Sequence, residues 1–179
     1  MLHGHFRLTS GLHSPEYLQC ALVLQHPDLA AELGWKLAER LASSAGHQID
    51  VVAAPAIGGL IIGHEAARAL GARFLFAERN EARSMTFRRG FSIHAGESVA
   101  VVEDVITTGG SVREVVELCR SASTRVAAVG SIIDRTGGAV DLGVPRVALA
   151  TLDVVSYSED VCPMCLAGVP IEKPGSRPT

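Results

Sequence analysis

The sequence predicts an α/β protein: a mostly parallel, five-stranded sheet flanked by helices, with a small cap formed outside that pattern. Three observations predict it. Short β-branched runs alternate with longer stretches of helical periodicity, the arrangement that gives parallel strands joined by helices. Proline and glycine punctuate the boundaries between them. The chain has 179 residues, 47% hydrophobic and 20% charged, enough for one domain with a buried core and few for two.

The elements follow in chain order. Asp28 to Ser43 reads as an amphipathic helix, with Pro27 just ahead of it where a first helical turn tolerates proline. Ile49 to Ala54 reads as a buried strand, ended by Pro55 and the pair Gly58-Gly59. Leu60 to Leu70 carries a helical apolar stripe closed by Gly71 as a C-cap. Arg73 to Phe76 and Val99 to Val102 are the second and third strands, and Val112 to Ser121 is the helix after them. Val126 to Ile133 is the fourth strand and Val147 to Leu152 the fifth. Two stretches depart from this rhythm. Residues 3–26 are polar and turn-rich around Ser10-Gly11 and Ser14-Pro15. Residues 78–97 carry seven charged side chains, and a connection that long in a compact domain is usually functional or disordered. The tail from Lys173 to Thr179 is expected to fray.

Composition excludes several classes. The aromatic fraction is 4% and the formal net charge −3, which argues against a base-stacking platform and against binding nucleic acid by bulk charge. Only Lys36 and Lys173 are lysines, and neither follows glycine ahead of serine or threonine, so there is no Walker A loop. No G-x-G-x-x-G follows a strand, which removes the dinucleotide-binding pattern. No apolar run is long enough for a membrane span, and the N-terminus has no basic segment followed by an apolar core. Four cysteines, Cys20, Cys119, Cys162 and Cys165, do not make a disulfide framework, so a reducing, cytoplasmic setting is expected.

Ligands of open parallel sheets bind beyond the carboxyl ends of the strands. Four such ends carry unusual residues: Pro55 to Gly59, Glu78-Arg79, Glu103 to Ser111, and Asp134 to Gly138. The third is the most specific. Thr107, Thr108, Gly109, Gly110 and Ser111 can turn backbone N–H groups and hydroxyls toward one point ahead of a helix N-terminus, which suits a phosphate dianion. Glu103 and Asp104 would repel that phosphate, so they suit hydroxyl donors a sugar's width away. The plainer alternative is a capped strand-to-helix turn with two exposed acids. A simple turn is likewise the alternative at Pro55 to Gly59.

The run Val101-Val102-Glu103-Asp104-Val105-Ile106-Thr107-Thr108-Gly109-Gly110-Ser111 resembles the phosphoribosyl pyrophosphate signature of the type I phosphoribosyltransferases. Three further motifs narrow the resemblance to the orotate phosphoribosyltransferase family. They are Gly4-His5-Phe6-Arg7-Leu8-Thr9-Ser10-Gly11 with Ser14-Pro15, Glu78-Arg79-Asn80-Glu81-Ala82-Arg83, and Asp134-Arg135. The resemblance implies a single domain over residues 1–179. Its hood is about 3–26 plus the C-terminal segment, its core about 45–155, and its mobile catalytic loop about 79–97. It implies transfer of ribose 5-phosphate from phosphoribosyl pyrophosphate (PRPP) to orotate, with Mg²⁺ held mainly through PRPP, on the route to UMP.

The same resemblance assigns roles by position. Arg79, Asn80, Arg83 and the stretch Glu103, Asp104, Val105, Ile106, Thr107, Thr108, Gly109, Gly110 and Ser111 would bind PRPP, with Arg79, Arg83 and Asp104 catalytic. Ala56, Ile57, Gly58 and Gly59 would form the pyrophosphate loop, with a non-proline cis peptide there. Thr107 and Arg135 would meet orotate, the guanidinium clamping its carboxylate. A homodimer with shared sites is implied, the loop arginines acting on the partner's substrate. Without the family, Arg135 reads as a surface arginine pairing a nearby acid, and Arg88 and Arg89 as a solvated charge run.

Departures stand beside the match. Thr9, Leu12 and Asn80 occupy positions where many relatives carry lysine, arginine and lysine. A transferase for another base, or a PRPP-binding regulator, remains a competing reading, though the chain has no spare domain or basic face for nucleic acid. Cys162-x-x-Cys165 has half the spacing of a zinc site and no second pair nearby. His64 reads as a packed or surface side chain, and Trp35 as helix packing.

Overall fold

A computed structural model describes residues 1–8 and 11–174. Thr9 and Ser10 of the first motif, and residues 175–179 of the expected frayed tail, lie outside the described residues. The chain forms two compact units, one of Met1–Gln19 with Asp153–Thr179 and one of Cys20–Leu152.

The larger unit begins with a short helix, α1 (Ala21–Leu24), and a long one, α2 (Pro27–Ala45). Pro27 supplies the fixed φ of a first helical position, and Gly46 ends α2 in the left-handed conformation at φ 68°. Then come β3 (Val51–Pro55), α3 (Gly59–Leu70), β4 (Arg73–Arg79), β5 (Met85–Phe87), β6 (Ser98–Ile106), α4 (Gly110–Ser121), β7 (Arg125–Asp134) and β8 (Arg146–Thr151). The sheet has six strands in the order β5-β4-β3-β6-β7-β8, all parallel except β5. The expectation of five strands therefore falls one short. The missing strand is β5, inside residues 78–97, which read as a connection. Three residues are too few to show a period, and β5 forms by pairing antiparallel with β4 (Glu78 with Thr86, Arg79 with Met85).

The strands are apolar on both faces because helices cover both. Val52 of β3 and Ala100 and Val102 of β6 pack in one cluster with Leu37, Leu41, Ile62 and Ala66 of α2 and α3. Val51 and Ala53, with Val99 and Val101, pack in the other against Val112, Val115, Val116 and Cys119 of α4. Each fully buried valine contributes roughly 2 kcal/mol of transfer free energy. Cys20 and Cys119 are buried, and burial pushes the Cys119 thiol up to about 12, which suits packing and not reactivity. Trp35 is 54% exposed on α2, so it does not pack as expected. Among the described residues no helix is long and apolar enough to cross a membrane.

The smaller unit is built on an antiparallel pair, β1 (Leu2–Arg7) and β2 (His13–Tyr17). The C-terminal segment runs alongside. Arg7 N–H donates to Glu172 O and Glu172 N–H to His5 O, both at 2.8 Å, and His13 and Tyr157 exchange two backbone bonds. A single 3₁₀ turn (Glu159–Val161) leads to the one-turn helix α5 (Pro163–Leu166).

Candidate active site

Three strands of the larger unit deliver the candidate residues at their carboxyl ends. At the end of β3 the chain turns through Ala56 and Ile57 into α3, and the Ala56–Ile57 peptide is cis, as the family resemblance implied. Ile57 is 68% exposed, and the Ala56 N–H is satisfied by Ala77 O at 2.8 Å. Gly59 leaves no room for a side chain. A Cβ at Gly59 would lie 2.9 Å from Val102 O and 2.9 Å from the Ala54 Cβ. A Cβ at Gly58 would lie 2.6 Å from Asp104 Oδ1, so this loop and that carboxylate are direct neighbours.

At the end of β6 the two acids part company. Glu103 is buried, and its Oε1 accepts the Asp104 N–H at 3.3 Å. Burial first, and the neighbouring Asp104 charge second, hold its carboxyl well above the usual carboxylate range. Asp104 is half-buried, with Oδ1 accepting the Val105 N–H at 2.8 Å. The exposed pair of acids that plain turn-reading would give is thus absent here. Val105 is half-buried, whereas Ile106 points into the core, which leaves Ile106 only its backbone for any ligand. Thr107 and Thr108 are exposed. Gly109 caps α4 at φ 73°, and a Cβ there would meet Val140 Cγ1 at 2.7 Å. No side chain caps the α4 N-terminus, where Gly110 and Ser111 open the first turn. Its first N–H groups therefore point outward with the positive end of the helix dipole.

At the end of β7 the Arg135 N–H donates to Ile106 O at 2.9 Å, tying the base-turn candidate to the β6 loop. Asp134 is buried. Its Oδ1 accepts both the Thr136 N–H and hydroxyl at 2.7 Å, and Arg146 Nη2 lies 3.3 Å from Oδ2. Arg146 stands at the start of β8, far from any local motif, and sequence reasoning missed it.

The loop candidates sit in the β4–β5 turn. Arg79 closes a bidentate pair with Glu114 of α4 at 2.8 and 2.9 Å and also donates to Arg83 O. Asn80 Oδ1 accepts the Ser84 N–H at 3.0 Å, and Arg83 adopts φ 62° with its N–H on Asn80 O. In this conformation Arg79 and Asn80 serve the hairpin itself. Arg89 pairs with Glu78 at 2.8 Å and lies over the Phe76 ring, which fits the solvated charge run expected for it. His64 is exposed beside Glu65 and edge-on to Phe74. Chemically, the centre of this arrangement offers an uncapped helix end for an anion and one exposed-side carboxylate for hydroxyls or a hard cation.

The phosphoribosyl transferase domain family matches residues 22–144. A protein of Pelotomaculum thermopropionicum named orotate phosphoribosyltransferase is 60% identical over 177 residues, covering 99% of this chain and 91% of that protein. One of Caldanaerobacter subterraneus with the same name is 51% identical over 174 residues, covering 97% and 90%. The crystal structure of orotate phosphoribosyltransferase from Aeropyrum pernix superposes with a TM-score of 0.70 at 26% identity, over 84% of this chain and 87% of that one. With the strand-end loops, the glycine-lined turns and these matches taken together, the chain belongs to the phosphoribosyl transferase family.

Proposed function

We propose that this phosphoribosyltransferase acts on orotate, transferring ribose 5-phosphate from PRPP to give orotidine 5′-monophosphate and pyrophosphate in UMP synthesis. The observation that carries the reading is Asp104 beside the Gly58-Gly59 loop, one short turn ahead of the uncapped α4 N-terminus. That spacing suits a sugar bearing a phosphate at one end and a diphosphate at the other, and the near relatives named above are orotate enzymes.

In the reaction a nitrogen of orotate attacks the anomeric carbon of PRPP, and the proton on that nitrogen is lost to solvent. The bond from that carbon to the diphosphate oxygen breaks, and its electron pair leaves with pyrophosphate. The transition state has oxocarbenium character, so the protein supplies positioning and charge and no nucleophile. Thr107 to Ser111 hold the 5′-phosphate on backbone N–H groups, while Asp104, and Glu103 once it turns out of its buried position, accept from the ribose hydroxyls. Ala56, Ile57, Gly58 and Gly59 receive the pyrophosphate. Arg135 clamps the orotate carboxylate beside the Thr107 backbone. Arg79, Asn80 and Arg83 approach the leaving group on a mobile loop, closing over a partner subunit's substrate in a homodimer and excluding water.

Mg²⁺ is the expected cofactor. The donor set fits it: Asp104 presents hard oxygens at the rim, and Mg²⁺ characteristically takes one or two carboxylates and fills its shell from water and substrate. When bound, it would neutralise charge on the departing diphosphate. The two compact units act as one enzyme domain, working in the cytoplasm.

Orotate loss followed spectrophotometrically with PRPP and Mg²⁺, with adenine, hypoxanthine and uracil in parallel, tests the reading. Orotate alone should be consumed. Asp104→Asn and Arg135→Ala should each lower turnover by roughly 10²-fold or more with the circular dichroism spectrum unchanged. Consumption of a purine in place of orotate, or wild-type kinetics in both variants, would overturn it.

A further inference from the structure

The smaller unit holds a cluster that the transfer reaction does not use. His5 of β1, His13 at the start of β2, Cys162 at the N-cap of α5 and Cys165 within it place one ligand atom each within 4.8 Å of one another. The two histidines are 3% exposed and Cys162 is fully buried. All the cysteines are free thiols.

The individual separations have the dimensions of a coordination shell. His5 Nε2 lies 3.1 Å from His13 Nδ1, 3.6 Å from Cys162 Sγ and 3.7 Å from Cys165 Sγ, and His13 Nδ1 lies 3.2 Å from Cys165 Sγ. A tetrahedral zinc ion, with bonds of about 2.0–2.1 Å to nitrogen and about 2.3 Å to sulfur, sets its ligand atoms roughly 3.3–3.8 Å apart. Adjustments of a few tenths of an ångström, and closure of the widest pair by about 1 Å, complete the tetrahedron. The ring orientation suits it too. His5 Nδ1 donates to Val169 O at 2.8 Å, which puts the proton on that nitrogen and leaves the lone pair of Nε2 facing the cluster. Metal-bound histidines are ordinarily fixed by such a bond on the other ring nitrogen. Two thiolates and two imidazoles form a soft, four-coordinate set that selects zinc over magnesium or calcium.

The unit also needs a tie. Among its described residues, Phe6 and Cys162 are the only buried apolar side chains, while His5, His13 and Ser14 are buried polar ones. A core that small rarely holds a fold without a disulfide or a metal. We propose that His5, His13, Cys162 and Cys165 form a structural Zn²⁺ site that fastens the N-terminal hairpin to the C-terminal segment. The C-x-x-C spacing supplies one half of the site, and the histidines, 149 to 160 residues earlier, supply the half that no local motif reveals.

The test uses the full chain, purified under reducing conditions, stripped with a chelator and reconstituted. The wild type should retain about one Zn²⁺ per chain after dialysis. Stripping should lower the thermal midpoint, with recovery on adding Zn²⁺ and none on adding Mg²⁺. Co²⁺ in place of zinc should give a thiolate-to-metal charge-transfer band and the intense visible bands of a tetrahedral site. The double variant Cys162→Ser, Cys165→Ser and the variant His13→Ala should each weaken zinc binding by at least about 10²-fold. A reconstituted wild type that holds no zinc, a Co²⁺ spectrum without thiolate bands, or unchanged zinc content in those variants would overturn the proposal. If the variants do not fold, the stoichiometry and the Co²⁺ spectrum of the wild type decide it alone, independently of any transferase assay.

Discussion

At Glu103 two effects act in the same direction, since burial and the adjacent Asp104 charge both favour the protonated acid. A carboxyl whose pKa is raised on folding binds more protons in the native state than in the unfolded one. Its contribution to stability is fully present below its ordinary value of 4.5 and is lost as pH rises through the folded value. The ligand-free protein should therefore lose thermal stability with rising pH across that window. Glu103→Gln should flatten the dependence and raise the melting temperature at neutral pH. Parallel melting curves against pH for the two proteins would check this, and an unchanged slope would mean that Glu103 ionises freely. Gly59 makes a steric statement at the same scale. Its missing Cβ leaves room for Val102 O and Ala54, so Gly59→Ala should cost about 1–3 kcal/mol, read as a lower denaturant midpoint.

Between elements, the informative contact is Arg79 on β4 with Glu114 on α4. Its side chains are 30% and 38% exposed, and a pair that open contributes about 0.2–1 kcal/mol. Such a clasp holds the β4–β5 hairpin in one resting position and yields readily to a competing polyanion. Glu114→Gln should leave the melting temperature nearly unchanged and lower the KM for PRPP, because the free guanidinium no longer has to be released first. Steady-state kinetics at varied PRPP would measure it, and a raised or unchanged KM would mean that the pair does not compete with substrate. This hairpin also marks where legibility ends among the elements. β3, β6 and β7 are continuous apolar runs buried on both faces, and their sequences show them. β5 becomes a strand only through its partner.

For the whole molecule, Leu22, Leu29, Trp35 and Ile61 are large exposed apolar side chains on α1, α2 and α3 of one unit. Of these, Trp35 is of the aromatic type enriched in interface cores, which makes it the residue to test for the proposed homodimer. Light scattering after gel filtration should give a dimer, and Trp35→Glu should shift it toward monomer. If the loop arginines act across the dimer, mixing inactive Arg83→Ala with inactive Asp104→Asn should regain activity, since hybrid dimers rebuild one intact site. No recovery on mixing proven dimers would place both residues in one subunit's site.

The five parallel strands, the helices between them and the glycine-rich turn ahead of α4 are readable from the amino-acid sequence alone. Those depend on hydrophobic period and turn chemistry, which are properties of neighbouring residues. That Arg79 is held by Glu114, that Asp134 is held by Arg146, and that His5 and His13 meet Cys162 and Cys165 emerges only from the folded chain. Polar partners of that kind leave no periodic trace. They are chosen by which chain ends and strand ends the folded core brings within a few ångströms, after the apolar pattern has set the framework.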